Sequence, residues 1–284
     1  MNQDIAVLQD WEGRTEVLRD AVAAAPAAAL AATLDHPTRC FEAGAVLPAP
    51  WHWLYFLPAA RQSELGADGH PQRGGFLPPV ALPRRMWAGS QMRFARPLTV
   101  GRPITRSSRI ATVRAKEGRS GSLVFVQVEH RIEDAEGLLL EETQDIVYRD
   151  APRPGETSPA PQAAPNAHQW CHEIHPDPVL LFRFSALTFN SHRIHYDLPY
   201  ARGVEHYPAL VVHGPLIATL LLDSLNREHP GRGLKSFSFR AVRPLFEGCP
   251  FKVCGRLEAD GHTVRLWAQD ADGWLAMDAS AQLI

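Results

Sequence analysis

Residues 214–226 (GPLIATLLLDSLN) limit the possible folds more than any other stretch of this chain. Pro215 sits where a first helical turn tolerates a missing N–H, and Leu216, Leu220 and the leucines that follow make the helix apolar nearly all round. Such a helix needs burial on several sides. The chain after it can provide that: 236–244, 251–258, 264–270 and 274–283 read as four strands, separated by turns at Glu247-Gly248, Asp260-Gly261 and Asp272-Gly273. A buried helix followed by a curved antiparallel meander is a sheet wrapped around a helix.

The same rhythm occurs earlier. Segments 92–98, 106–116, 123–133 and 138–148 are rich in Val, Ile, Phe and Thr and read as four more strands. Between the two sets, 151–166 (APRPGETSPAPQAAPN) carries no apolar periodicity and reads as an extended linker. It divides the 284 residues into an N-terminal unit, 1–150, and a C-terminal unit, 167–284, each near the usual size of a domain. The expected class is α+β, two antiparallel sheets each wrapped around a helix. In the first unit the Ala-rich stretch 21–34, interrupted by Pro26, is a less clear helix. Trp51, Trp53, Tyr55 and Phe56 read as core or half-buried strand, with a lining for an acyl chain as the functional alternative.

Charge excludes some partners. With 29 basic against 31 acidic residues there is no field to gather nucleic acid. No apolar run approaches the roughly 20 residues of a membrane span. The start, Met1 to Trp11, is acidic and mixed, unlike a secretory leader, so a cytoplasmic protein with free thiols at Cys40, Cys171, Cys249 and Cys254 is expected. Lys116, Lys235 and Lys252 are the only lysines, and all other cations are arginines, which suits forked contacts to anions. Cys171-His172-Glu173-Ile174-His175 lacks the paired-histidine spacing of a zinc helix, so no metal is expected.

The densest polar cluster is 184–200 (FSALTFNSHRIHYDLPY), where Asn190, His192, Arg193, His195 and Asp197 follow a short apolar run. Val211-Val212-His213-Gly214-Pro215 then opens the buried helix. A polar loop facing a helix N-terminus makes a reaction site, because free N–H groups there stabilise a developing oxyanion. His195 is placed to act as a base near neutral pH. A lone histidine would more readily cap a turn or pack in a core; the surrounding cluster favours chemistry.

Phe189-Asn190-Ser191-His192-Arg193-Ile194-His195, with Ala201 after five more residues, resembles the signature of the R-specific enoyl-CoA hydratases, the MaoC-like branch of the hotdog superfamily. That signature reads Gly-Asp-x-Asn-Pro-Ile-His. The resemblance makes His195 the catalytic histidine and Gly214 the residue whose N–H meets the thioester carbonyl. Asn190 stands at the aspartate position, Phe189 at the glycine, and His192-Arg193 at Asn-Pro. An amide can orient a water but cannot accept its proton. FNSHRIHYD, HGPL, FRAVRPLFEGCPF and LPRRMWAG together resemble the double-hotdog hydratases of mesaconyl-C4-CoA and itaconyl-CoA.

The resemblance implies a double hotdog with one active site, its N-terminal unit shaping the substrate. It implies hydration of a short branched enoyl-CoA carrying a free carboxylate, giving citramalyl-CoA, with no cofactor beyond the CoA of the substrate. Catalytic work falls to His195, Asn190 and Gly214. His192 and His213 border the substrate, and the carboxylate needs a cation: Arg193 first, then Arg84 or Arg85. Arg240 or Arg243 could reach the CoA phosphates. A homodimer follows from the habits of hotdog sheets. The alternatives are a 3-hydroxyacyl-thioester dehydratase of fatty-acid metabolism, a non-catalytic acyl-CoA-binding protein and a thioesterase.

Overall fold

The strand-rich stretches of both halves pair into one continuous sheet. The computed structural model describes residues 5–36, 41–118, 121–151 and 160–284. Its elements are α1 (Ile5–Gln9), β1 (Thr15–Ala21), α2 (Ala24–Thr33), β2 (Arg84–Phe94), β3 (Pro103–Gly118), β4 (Gly121–Asp134), β5 (Gly137–Arg149), β6 (Trp170–Ile174), α3 (Pro178–Leu187), α4 (Leu198–Gly203), α5 (Gly214–Glu228), β7 (Leu234–Ala241), β8 (Phe251–Leu257), β9 (Thr263–Asp270) and β10 (Leu275–Leu283). The strand order is β1-β3-β4-β5-β2-β7-β10-β9-β8-β6. The first five strands belong to the N-terminal half and the last five to the C-terminal half. They meet at β2 and β7, antiparallel from Gly89 opposite Arg240 to Arg93 opposite Ser236. The two expected sheets are therefore halves of one, and joining them removes two open edges. Gly89 is required at this seam, since a Cβ there would lie 2.6 Å from the Phe239 carbonyl oxygen.

The helix 214–226 forms as α5 and is buried from Leu216 through Leu225 against β8, β9 and β10. Each leucine so covered contributes roughly 1.5–3 kcal/mol. The counterpart in the first half is α2. Pro26 falls in its first turn, where no backbone N–H is needed, so the proline starts this helix instead of breaking it. Leu30 and Ala31 share a core with Met92, Ile104, Ile132 and Leu139, and α2 packs on α3.

Several local readings change. LPRRMWAG is itself the start of β2, so this strand begins eight residues before the expected 92. Residues 51–54 form a 3-10 turn, not a strand; Pro48 and Pro50 supply no ladder N–H. Cys171 and Cys254 are disulfide-bonded, contrary to the expected free thiols, because β6 and β8 place them directly opposite one another. Cys249 is free and exposed. Cys40 and residues 152–159 of the expected linker lie outside the described residues. Just after them, Ala163 bridges Trp274 at the entry to β10. Among the described residues no helix is long and apolar enough to cross a membrane.

Candidate active site

Helix α3 delivers the polar cluster. Asp177 caps it by accepting the Leu180 N–H at 2.7 Å, with Pro178 at the first helical position. At its other end Phe189 has φ +49°, a left-handed conformation at the position where the similar signature carries glycine. Asn190 then donates its N–H to the Ser185 carbonyl at 2.8 Å. Its side-chain oxygen accepts the His192 N–H at 3.0 Å, a local turn that engages one lone pair of the oxygen expected to hold a water.

His195 lies on the 3-10 turn Arg193–His195 and is buried. Its Nδ1 is 2.7 Å from the Val211 carbonyl oxygen, while the Val211 N–H returns to the Ile194 carbonyl at 3.0 Å. A carbonyl can only accept, so Nδ1 carries the proton and Nε2 presents its lone pair. The ring stacks on His213, with centroids 3.7 Å apart and planes 17° apart. His213 in turn is hydrogen-bonded to Ser185 Oγ at 2.8 Å and stands immediately before Gly214, where α5 begins. No side chain caps that helix, which leaves its first N–H groups for an incoming acceptor. A Cβ on Gly214 would meet only the Trp87 carbonyl, at 3.9 Å.

Burial pushes the His195 pKa down to about 4, against the pull of the Val211 bond. His213 is held well below the ordinary histidine value by burial and then by its neighbours His195 and His192. His192 is depressed by burial and then by His70 and His195. All three are neutral at pH 7, so the cluster is a set of bases, not of cations.

His70 belongs to this cluster and was not read from the sequence. It comes from the N-terminal half, in ADGHPQRGG, where glycine and proline signal only a turn. Its ring lies 4.0 Å from that of His192, and His192 is edge-on to His195 at 5.5 Å. Asp68 holds His70 through Nδ1 to Oδ2 and through the backbone N–H to Oδ1, both 3.0 Å. Burial raises the Asp68 pKa, but the bonds from His70 outweigh it and keep the carboxylate ionised. The loop is fastened to the segment that carries His192 and His195: Arg193 N–H donates to the Asp68 carbonyl at 2.9 Å, and Ser191 Oγ to the Gly69 carbonyl. The signal that could have found it is Asp-x-His in a glycine-rich loop.

The expected arginines separate. Arg193 is committed to Asp197, with Nε at 2.9 Å and Nη2 at 2.7 Å from the same oxygen, to the Ala67 carbonyl at 3.0 Å and to the Tyr200 ring face. Asp197, four residues on, takes the forked N–H groups that the expected contact to a substrate carboxylate would use. Arg84 pairs with Glu205 at 2.8 Å and covers Tyr207. Among the described residues Arg85 makes no ion pair, and its charge acts on both His70 and His192. It lines a cavity of about 490 Å³ together with Asp68, His70, Arg73, Arg84 and Tyr200. Arg243 is tied to Asp270 at 3.1 Å.

Trp53, Trp87 and Phe239 form an aromatic wall beside the start of α5, with centroids 5.1 Å and 6.2 Å from Trp53. Behind it Glu142 is fully buried, bonded to Ser90 Oγ at 2.6 Å, His52 at 3.0 Å and the Trp53 indole at 3.2 Å. Burial raises its pKa, yet the His52 bond and charge and the nearby His130 and Ser90 bring it down to about 2. Asp68, His70 and His192 place donor atoms within 4.8 Å of one another, which is a spacing open to a cation. Of these groups, Asp68 and His70 are already hydrogen-bonded to one another, Oδ2 to Nδ1 at 3.0 Å. Cys171 is in its disulfide, and His172 and His175 pair with Glu228 and Glu173, each at 3.0 Å.

Comparison with known proteins gives a concordant picture. The family model for hydroxyacyl-thioester dehydratase type 2 matches residues 50–247. The mesaconyl-C(4)-CoA hydratase of Chloroflexus aurantiacus is 50% identical over 276 residues, 96% of each chain. The mitochondrial hydroxyacyl-thioester dehydratase type 2 of Schizosaccharomyces pombe is 29% identical, covering 88% of this chain and 94% of that one. Among solved structures, a MaoC-like dehydratase from Phytophthora capsici superposes with a TM-score of 0.71 at 16% identity, covering 99% of both chains. A Mycobacterium tuberculosis protein described as a double hotdog superposes at 0.60 and 14% identity, over 96% of both, and these two likenesses establish the fold.

Proposed function

The chain belongs to the hydroxyacyl-thioester dehydratase type 2 family, and on that premise we propose that it is a hydro-lyase adding water to a short branched enoyl-CoA that carries a free carboxylate. Mesaconyl-C4-CoA and itaconyl-CoA are the substrates in view and citramalyl-CoA the hydrated product. The name of the half-identical Chloroflexus relative supports the first of these. The observation that carries the reading is His195: Nδ1 is bonded to the Val211 carbonyl, so a neutral Nε2 is left as a base in the site that the uncapped α5 terminus opens.

In mesaconyl-C4-CoA the double bond is conjugated with the thioester. Water attacks the β-carbon, His195 Nε2 takes a water proton, and the π electrons move through the α-carbon to the thioester oxygen. The Gly214 N–H and the positive end of α5 stabilise that oxyanion, a term typically worth about 3 kcal/mol. The enolate then recovers the proton at its α-carbon and His195 is neutral again. The substrate's carboxylate sits on the β-carbon, so its cation must adjoin the histidines. Arg85 meets that requirement, and its fork suits a carboxylate. No metal and no cofactor other than CoA enters this route. Both halves that face the site belong to one chain, so the chemistry does not need the homodimer expected from the family habit. CoA esters do not cross membranes, which supports a cytoplasmic location beside their source.

A dehydratase acting on a longer, apolar 3-hydroxyacyl thioester is the second reading, supported by the wall of Trp53, Trp87 and Phe239. Loss of enoyl-thioester absorbance, followed with mesaconyl-C4-CoA, itaconyl-CoA and crotonyl-CoA in parallel, tests both. The expected result is turnover of a carboxylated substrate much faster than crotonyl-CoA, with His195→Ala slower by at least about 100-fold. Faster crotonyl-CoA turnover moves the assignment to the second reading. An unimpaired His195→Ala removes His195 from the mechanism.

A further inference from the structure

Resting on the hydratase reading, we infer that His70, held by Asp68, is a second catalytic residue, supplied by the N-terminal half to orient the attacking water together with His195. Attack on the β-carbon requires a water whose lone pair is aimed at that carbon, and both of its hydrogens must then point at acceptors. His195 Nε2 is one acceptor. Asn190 is the weaker choice for the other, because one lone pair of its side-chain oxygen already receives the His192 N–H and ties the group to its own turn. The Asp68–His70 pair offers an imidazole acceptor instead. Asp68 Oδ2 accepts the Nδ1 proton of His70, which fixes the tautomer with a free lone pair on Nε2. His70 lies tilted against His192, which is itself edge-on to His195, so one run of rings joins the N-terminal loop to the base, and the charge of His70 is felt at His195.

The loop that carries His70 is built into place. Gly69 has φ +89°, and a Cβ there would fall on the Ser191 carbonyl. Ser191 and Arg193 bond to its backbone from the catalytic segment. A loop serving only as a surface connection would not need so close an approach to the residues beside the base.

In the step this assigns, water donates one hydrogen bond to His195 Nε2 and the other to His70 Nε2. The O–H bond toward His195 breaks, its proton passes to Nε2, and the oxygen bonds to the β-carbon as the π pair moves to the thioester oxygen. The enolate then takes that proton back at the α-carbon. The second hydrogen never leaves the oxygen and remains bonded to His70 in the hydroxyl of the product. Atoms and charge balance with no further reactant. His70 must be neutral to accept this bond. The groups facing it are Asp68, Arg73, Arg85 and His192; burial and the two arginines favour the neutral form and Asp68 opposes them.

The test measures kcat and KM against pH with mesaconyl-C4-CoA for wild type, His70→Ala, His70→Gln and Asp68→Asn, with a melting curve for each. His70→Ala is expected to lower kcat by about 100-fold with KM little changed. His70→Gln should recover part of the rate, since its amide oxygen can accept the same bond. Asp68 acts through His70 as a positioning residue. Asp68→Asn should shift the acidic limb of kcat to lower pH, because His70 without the carboxylate is harder to protonate. An active wild type with undiminished His70 variants overturns the inference and leaves the hydratase reading standing. A loss equal in both His70 variants and accompanied by a lowered melting temperature assigns His70 a structural role and overturns it too. A folded wild type that hydrates none of the enoyl-CoAs overturns the hydratase reading itself.

Discussion

The imidazole of His195 lies flat on that of His213, 3.7 Å between centroids, and neither ring can be protonated without placing a charge against the other. Burial already pushes His195 down to about 4 and His213 further in the same direction. The pH dependence follows. As the proposed base, His195 is neutral and available above about pH 4, so a rate limb due to it is expected there and not near the ordinary histidine value. Stability has the same sign. Between the unfolded value near 6.5 and the folded values, the unfolded chain binds more protons than the folded one. Stability is therefore lost as pH falls through that window, by up to about 1.4 kcal/mol per unit for each such histidine. His130, also pushed by burial down to about 4, adds to it. Urea unfolding at pH 7 and pH 5 should give a clearly lower midpoint at pH 5; equal midpoints would contradict these shifts.

Arg85 and Arg193 differ in what holds them, and this separates binding from scaffolding. Arg85→Gln should raise KM for a carboxylated enoyl-CoA about ten- to a hundred-fold, the loss of a charged hydrogen bond, and leave crotonyl-CoA nearly unchanged. Arg193→Gln breaks the pairing with Asp197, which caps α4. Its effect should be similar for every substrate. The ratio of kcat/KM values for the two substrates decides: an Arg193 variant that alone loses discrimination would reverse the two roles.

Local chemistry made much of this site legible. His195, His213 and Gly214 could be read because they lie close in sequence to an unmistakable buried helix. The meanders could be read because β-branched runs alternate with Gly turns. What escaped depends on long-range pairing. β1 has a mostly exposed burial pattern and β6 is five residues long, so neither has a strong apolar period. The Cys171–Cys254 bond spans 83 residues and exists only through the β6–β8 register. His70 meets His192 across 122 residues, the same separation as the Ser191–Gly69 bond. The Arg193–Asp197 pairing escaped because Asp197 was read as part of the same reactive cluster and not as an acceptor for the arginine.

Asp68, His70 and His192 are close enough for a cation, yet the Asp68–His70 bond uses the carboxylate as the orienting group of an imidazole. Dialysis against EDTA should accordingly leave the hydration rate unchanged. Loss of activity that zinc or another divalent ion restores would show that the three residues serve a metal.

Glu142 tests the internal support of the aromatic wall. Its carboxylate receives Ser90 Oγ, His52 and the Trp53 indole in a fully buried setting. Glu142→Gln keeps the shape and removes the charge, replacing the carboxylate that Ser90, His52 and Trp53 share with a neutral amide. Leaving a buried donor without its acceptor in this way costs about 1–3 kcal/mol. The denaturant midpoint should fall, and KM should rise with it as Trp53 loses its anchor. A change below about 1 kcal/mol would mean that the network is replaceable.

Gly69 connects the two halves at the site and can be tested with one methyl group. At φ +89° an alanine is strained by about 1–2 kcal/mol, and its Cβ would meet the Ser191 carbonyl, so either the loop or the catalytic segment has to move. Displacing the loop carries His70 away from His192; displacing the segment carries Asn190 and His192 away from His195. Gly69→Ala should therefore lower kcat by more than tenfold, a barrier increase of about 1.4 kcal/mol or more. Ser191→Ala removes the tether to the Gly69 carbonyl without the clash and should cost less. Comparable rates for wild type and Gly69→Ala would mean that the contact between the halves is too loose to position anything.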